Sequence, residues 1–113
     1  MIEKFSFGSI VVDGAIFTSD IKIIDGCVVS GWWRKSGHRV ALEDIQDIIA
    51  AQPAVVVIGK GSPGMMKTSS IVRNQLKDRN IRLIEEKTAI AINTYNRLAR
   101  EGENVAAGFH LGC

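Results

Sequence analysis

The sequence has no apolar run of membrane length. Its longest, Val55-Val56-Val57-Ile58, is a fraction of the roughly 20 residues a membrane span requires. Charge of one sign is scarce too: Lys and Arg number 14 against 12 Asp and Glu, a formal +2. A generic nucleic-acid binder would carry a dense basic face, so neither a nucleic acid nor a membrane is expected as partner. Only two cysteines occur, Cys27 and Cys113, far apart and outside any metal-ligand spacing. They read as free thiols of a reducing compartment. The only histidines are His38 and His110, and nothing in the spacing gathers these four side chains, so no metal is expected. The start, Met1-Ile2-Glu3-Lys4, lacks the apolar run of a signal peptide, which points to the cytoplasm. There is no carboxylate pair, Ser-His-Asp set, metal helix motif or cofactor fingerprint, so no cofactor is expected either.

What is present is an ordinary globular composition. Hydrophobic residues make up 46% and charged residues 23% of 113, which excludes a disordered chain and fits one domain over residues 1–113. The first third alternates with period two. Asp13-Gly14 separates Ile10-Val11-Val12 from Ala15-Ile16-Phe17, and Asp25-Gly26 separates Ile21 to Ile24 from Cys27 to Ser30. Asp-Gly is a strong hairpin signal because a type I′ turn needs positive φ at both central positions. An antiparallel meander is expected, with Phe5 and Phe7 on a strand feeding in.

From Ala41 the period becomes 3.6. Leu42, Ile45, Ile48 and Ile49 share a helical face, Glu43, Asp44, Gln46 and Asp47 point outward, and Pro53 ends the helix. The apolar run at Val55 then reads as a strand buried on both faces. Thr68 or Ser69 caps a helix over about 70–79, and Asn80 suits its left-handed end. Ile81 to Ile84 reads as a second core strand, and Thr88 caps a third helix with Ala91, Tyr95 and Leu98 on one stripe. After Gly102 comes a last strand over 104–111. The second half is thus strand–helix–strand–helix–strand, which the right-handed crossover rule closes into a parallel sheet. The expected class is α/β: one compact domain with a mixed central sheet, a βαβαβ C-terminal half covered by helices, and the meander as an added β layer.

Three places carry candidate chemistry. Gly59-Lys60-Gly61-Ser62-Pro63-Gly64 leaves the carboxyl end of a core strand, where open α/β sheets place ligands. Donors from Gly59, Gly61 and Ser62 with the charge of Lys60, in a loop that closes at Gly64, would suit a small anion, although the spacing matches neither a Walker A loop nor a dinucleotide fingerprint. A tight turn explains the same glycines. The second place is Trp32-Trp33-Arg34 with Gly37-His38-Arg39. Adjacent tryptophans on a strand face opposite ways, so one is free to form an interface while Arg34 or His38 adds charge to an anion site. The third is His110, an acid/base candidate; pairing it with Cys113 requires the chain to turn at Gly112. No residue is assigned a catalytic role on these grounds.

The pattern Val57-Ile58-Gly59-Lys60-Gly61, Lys67, Tyr95-Asn96, Leu98, Gly102, Val105 and Phe109-His110-x-x-Cys113 is similar to the adipogenesis-associated small-domain family. That family runs from archaea to animals and counts a mitochondrial respiratory complex I assembly factor among its relatives. The resemblance extends over nearly the whole chain, including the Asp20 strand region and the Trp33-Arg34…Gly37-His38 loop; Gly112 departs from it, replacing a threonine. It implies a compact single-domain α/β fold and no known reaction, since members are described through differentiation and complex assembly. Two functions are therefore in competition. One is a non-enzymatic protein-interaction or assembly module that self-associates through Trp32 and Trp33. The other is an anionic small-ligand or enzymatic site at Gly59 to Gly64 served by Arg34, His38 and His110. RNA binding is weaker than either, because one short basic–aromatic loop is no stacking platform.

Overall fold

The computed structural model describes every residue from Met1 to Cys113. Strands β1 (Ile2–Ser6), β2 (Ser9–Val12) and β3 (Ala15–Phe17) form a small antiparallel sheet. Strands β4 (Ile21–Ile24) and β5 (Cys27–Ser30) form a second hairpin. Both hairpins turn on the Asp-Gly pairs, with φ of 48° and 82° at Asp13 and Gly14 and 51° and 76° at Asp25 and Gly26. The expected single meander is corrected here: the chain breaks it after Phe17, and the second hairpin joins the central sheet instead. There β4 runs antiparallel to the last strand, Ile23 opposite Ala107.

The rest follows the predicted order. After β6 (Arg39–Val40) come a 3-10 turn over Leu42–Ile45 and α1 (Gln46–Ala50), then β7 (Val55–Gly59), β8 (Lys67–Thr68), α2 (Ser70–Asp78), β9 (Arg82–Glu86), α3 (Thr88–Arg100) and β10 (Val105–Phe109). The central sheet has the order β5-β4-β10-β7-β9. Its β10-β7-β9 part is parallel, with Val57 beside Ala107 on one side and Ile84 on the other. From β7 the chain steps outward to β9 and then back across to β10. Two right-handed crossovers in opposite directions place α2 and α3 on opposite faces.

Two apolar clusters fill the two sides of the sheet. On one side α3 and the small sheet contribute Ile2, Ile10, Val12, Ala91, Tyr95 and Leu98 against Val55, Val57, Ala107 and Phe109. On the other, Trp32, Val40, Ile45, Ile48, Met66, Val72 and Leu76 pack on Val56, Ile58 and Ala106. The alternation of β7 and β10 between these clusters is why both strands are buried along their whole length. β9 departs from its reading as a core strand: it is the sheet's edge and only half-buried.

Two polar residues take other positions than expected. Asp44 is buried, not outward: its carboxylate accepts the N–H of Ala41 at 2.8 Å and tightens the start of the 3-10 turn. Thr88 is not the cap of α3, since Lys87 holds that position and Thr88 begins the helix. Its wholly buried hydroxyl serves another contact, described below. Ser69, by contrast, caps α2 as predicted, accepting from Val72 N–H at 3.3 Å, and Asn80 adopts φ of 58°. No helix is long and apolar enough to cross a membrane.

Candidate functional site

The reversal of direction at β7 creates a switch point between the carboxyl ends of β7 and β10, the place where α/β sheets open a crevice. The chain fills this one with itself. Segment 110–113 folds over the Gly59 to Gly64 loop: Ser62 N–H donates to Gly112 O at 2.8 Å and Met65 N–H to Cys113 O at 2.8 Å. Gly61 N–H donates to Thr88 Oγ1 at 2.8 Å, and that hydroxyl donates in turn to His110 O at 2.6 Å. Lys60 N–H donates to Glu86 O at 2.8 Å. The loop's glycines are required by close approach. A Cβ at Gly61, whose φ is 96°, would strike Gly112 O and lie 2.7 Å from the His110 ring. One at Gly59 would lie 2.8 Å from Phe109 and 2.9 Å from Thr88 Oγ1. Gly64 is exempt from this crowding by backbone but keeps φ of 110° beside Lys87. The N–H groups of Gly61 and Ser62 are thus engaged within the chain, as is that of Lys60, which corrects the reading of Gly61 and Ser62 as free donors for an anion.

Sequence reasoning missed the centre of the cluster, Asp20. Its Oδ2 lies 2.7 Å from His110 Nδ1 and 2.7 Å from Arg34 Nη2, while Oδ1 accepts Leu111 N–H at 2.8 Å. Burial pushes the Asp20 carboxyl up, but the hydrogen bonds from His110, Leu111 N–H and Arg34 together outweigh it and hold it below the ordinary value of 3.8. A lone aspartate ahead of a strand carries no motif; only its place in the Asp20 strand region of the resemblance marked it. Arg34 is buried to 6% exposure, clamped by Gly37 O at 2.7 Å and stacked 4.6 Å over the Trp32 ring. His110 thus orients Nδ1 toward Asp20. Its Nε2 is buried without a partner, and none of the cavities is lined by it.

His38 is exposed and packs edge-on against His110, ring centroids 5.5 Å apart. Cys113 Sγ lies 3.7 Å from His38 Nε2, so the thiol approaches His38 and not His110. Both cysteines are free and exposed, and no group of three or more His, Cys, Asp or Glu is disposed to hold a metal ion. The two tryptophans divide, one exposed and one buried, but they lie beyond the end of β5 and on no strand, so strand alternation is not the cause. Trp33 is 77% exposed. Trp32 is corrected from interface to core: it is 5% exposed, donates Nε1–H to Asp44 O at 2.9 Å and packs closely against Gly108. Structure therefore brings Arg34, His38, His110 and the glycine loop to one end of the sheet, and leaves Trp33 facing outward alone.

A mixed, parallel-centred sheet between two helical faces, its switch point closed by the chain's own final residues, defines a small α/β domain class. The chain belongs to the DUF498/DUF598 family of proteins of unknown function, whose model matches residues 2–110. The protein MT938 has the same fold, with a TM-score of 0.82 at 26% identity over 100% of this chain and 98% of its own. A conserved hypothetical protein of Pyrococcus horikoshii OT3 gives 0.85 at 22% identity over 100% and 99%. A Bordetella pertussis protein described as an Mth938-like domain gives 0.64 at 20%, over 97% and 84%.

Proposed function

We propose that this protein is a non-enzymatic interaction module that pairs with a second copy of itself along β5, with Trp33 as the anchor. The observation that carries this is the 77% exposure of Trp33 three residues beyond a sheet edge that has no charge on it. Exposed strand edges are usually blunted by charged side chains. The opposite edge, β9, carries Arg82, Glu85 and Glu86, whereas β5 reads Cys27-Val28-Val29-Ser30 with Val29 39% exposed. An uncharged antiparallel edge is self-complementary about a two-fold axis, because each strand meets the same neutral sequence running the other way. The resemblance to a family described through complex assembly supports the same reading. The competing anion site at Gly59 to Gly64 loses support from the internal bonding of its donors.

Sedimentation across a concentration series tests it, on wild type and on Trp33→Ala and Val29→Lys. The expected result is a monomer–dimer equilibrium in wild type, weakened about thirtyfold by loss of an aromatic anchor of roughly 2 kcal/mol. A wild type that sediments as a monomer at every concentration overturns the proposal. So does dimerisation that both variants leave untouched.

A further inference from the structure

A second polar feature lies apart from β5. A cavity of about 330 Å³ opens where the β6–β8 pair meets the start of α2, and its wall is polar throughout: His38, Arg39, Lys67, Thr68, Ser69 and Ser70. Three observations point to an anion there. First, Arg39 and Lys67 sit directly opposite each other in the parallel β6–β8 register, and neither forms an ion pair with any carboxylate of the chain. Like charges held side by side repel, and a bound anion reverses the sign of that interaction. Second, α2 begins at the cavity. Ser69 Oγ takes the Val72 N–H, while the N–H groups of Ser70 and Ile71 have no acceptor in the chain. Free N–H groups at a helix start are positive ends waiting for negative charge. Third, Thr68 lines the cavity at 6% exposure with its Oγ1 buried and unpartnered. Buried hydroxyls are rarely left without a partner, and this one, on a side chain of the cavity wall, reaches an oxyanion there by turning outward.

A neighbouring cavity shares Arg39 and Ser69 and continues past Ala41, Leu42 and Ile71, with four polar or charged residues, Lys35 and Glu43 among them, on the rest of its wall. A phosphate between Arg39, Lys67 and the α2 start therefore has room beside it for an apolar organic body. We infer that this protein binds a phosphate monoester of a small organic molecule, its phosphoryl group held by Arg39, Lys67 and the first N–H groups of α2. No bond of the ligand is made or broken in this binding. The site lies on the side of the sheet that Trp32 covers, is independent of the β5 contact, and adds a ligand to the protein whatever its oligomeric state.

The test is an amide NMR titration with inorganic phosphate and with phenyl phosphate at 0.1 M salt, on wild type, Lys67→Gln, and the double variant Arg39→Gln/Lys67→Gln. Saturable shifts are expected at the amides of residues 38–40 and 67–72, with phenyl phosphate tighter than phosphate and also moving those of 41, 42 and 71. Each lost cation removes charge-assisted hydrogen bonds and should weaken binding about tenfold. The exposed positions of Arg39 and Lys67 keep the variants folded, which their unperturbed spectra would confirm. Shifts that do not saturate, that spread over the surface lysines generally, or that persist undiminished in the double variant overturn the inference. Phosphate binding without any advantage for phenyl phosphate overturns the ester and its apolar subsite.

Discussion

Asp20 accepts hydrogen bonds from Arg34 and from the adjacent His110 and Leu111 N–H, two stretches of chain far apart in sequence from each other. Removing its charge leaves the Arg34 guanidinium, 6% exposed, without a counter-ion. Stranding one partner of a buried pair costs on the order of 3 kcal/mol, so Asp20→Asn is expected to lower the unfolding free energy by about that much in denaturant titration. The sign of the pH dependence follows from the carboxyl being held below 3.8 in the folded protein. Asp20 contributes stability at pH above the unfolded value of 3.8, and the contribution is lost as pH falls through the lower folded value. The stability gap between wild type and Asp20→Asn should stay level near neutrality and narrow in acid below pH 3.8. A gap that widens on acidification would contradict the assignment.

Elements meet at positions where only glycine fits. Trp32 crosses β10 so closely that a Cβ at Gly108 would lie 2.7 Å from its ring. Gly108→Ala must therefore push Trp32 off the strand, loosen its Nε1–H bond to Asp44 O, and disturb the stack of Arg34 on its face. Overpacking of this kind costs roughly 1–3 kcal/mol. The expected readout is a lowered melting temperature and a red-shifted Trp emission, because Trp32 gains water while Trp33 is already wet. The hairpin turns, the stop at Pro53 and the amphipathic helices were all legible at this scale, since each is fixed by local dihedral preference or by side-chain period. The edge status of β9 was not, because an apolar run of strand length looks alike at the centre and at the rim of a sheet.

At the scale of the whole molecule, the small sheet is a separate layer whose first strand packs on α3 and is hydrogen-bonded to it by one side chain. Asn96, 7% exposed, accepts Ile2 N–H at 3.0 Å and donates to Ile2 O at 2.8 Å, imitating a neighbouring strand. Asn96→Leu keeps the volume and removes both bonds, leaving two backbone groups unsatisfied at about 1–3 kcal/mol each. Hydrogen exchange should then accelerate across β1 and β2 while β7 and β10 stay protected. Uniform loss of protection over the central sheet would show instead that the layers open as one.

Period, turn chemistry and crossover handedness, all written in the order of residues, set the two hairpins, α2 and α3, the parallel C-terminal half and the alternation of β7 and β10 between the two clusters. The adjacent tryptophans marked a pair of which one was free to face outward. Which of the two is buried, the break of the meander into two sheets, and the turning of Thr88 from cap to clasp were decided by the tertiary structure alone. So were the meeting of Asp20, Arg34 and His110 and the facing of Arg39 and Lys67. Each depends on a contact between residues distant in sequence, where shape and charge, and no local preference, choose the partner.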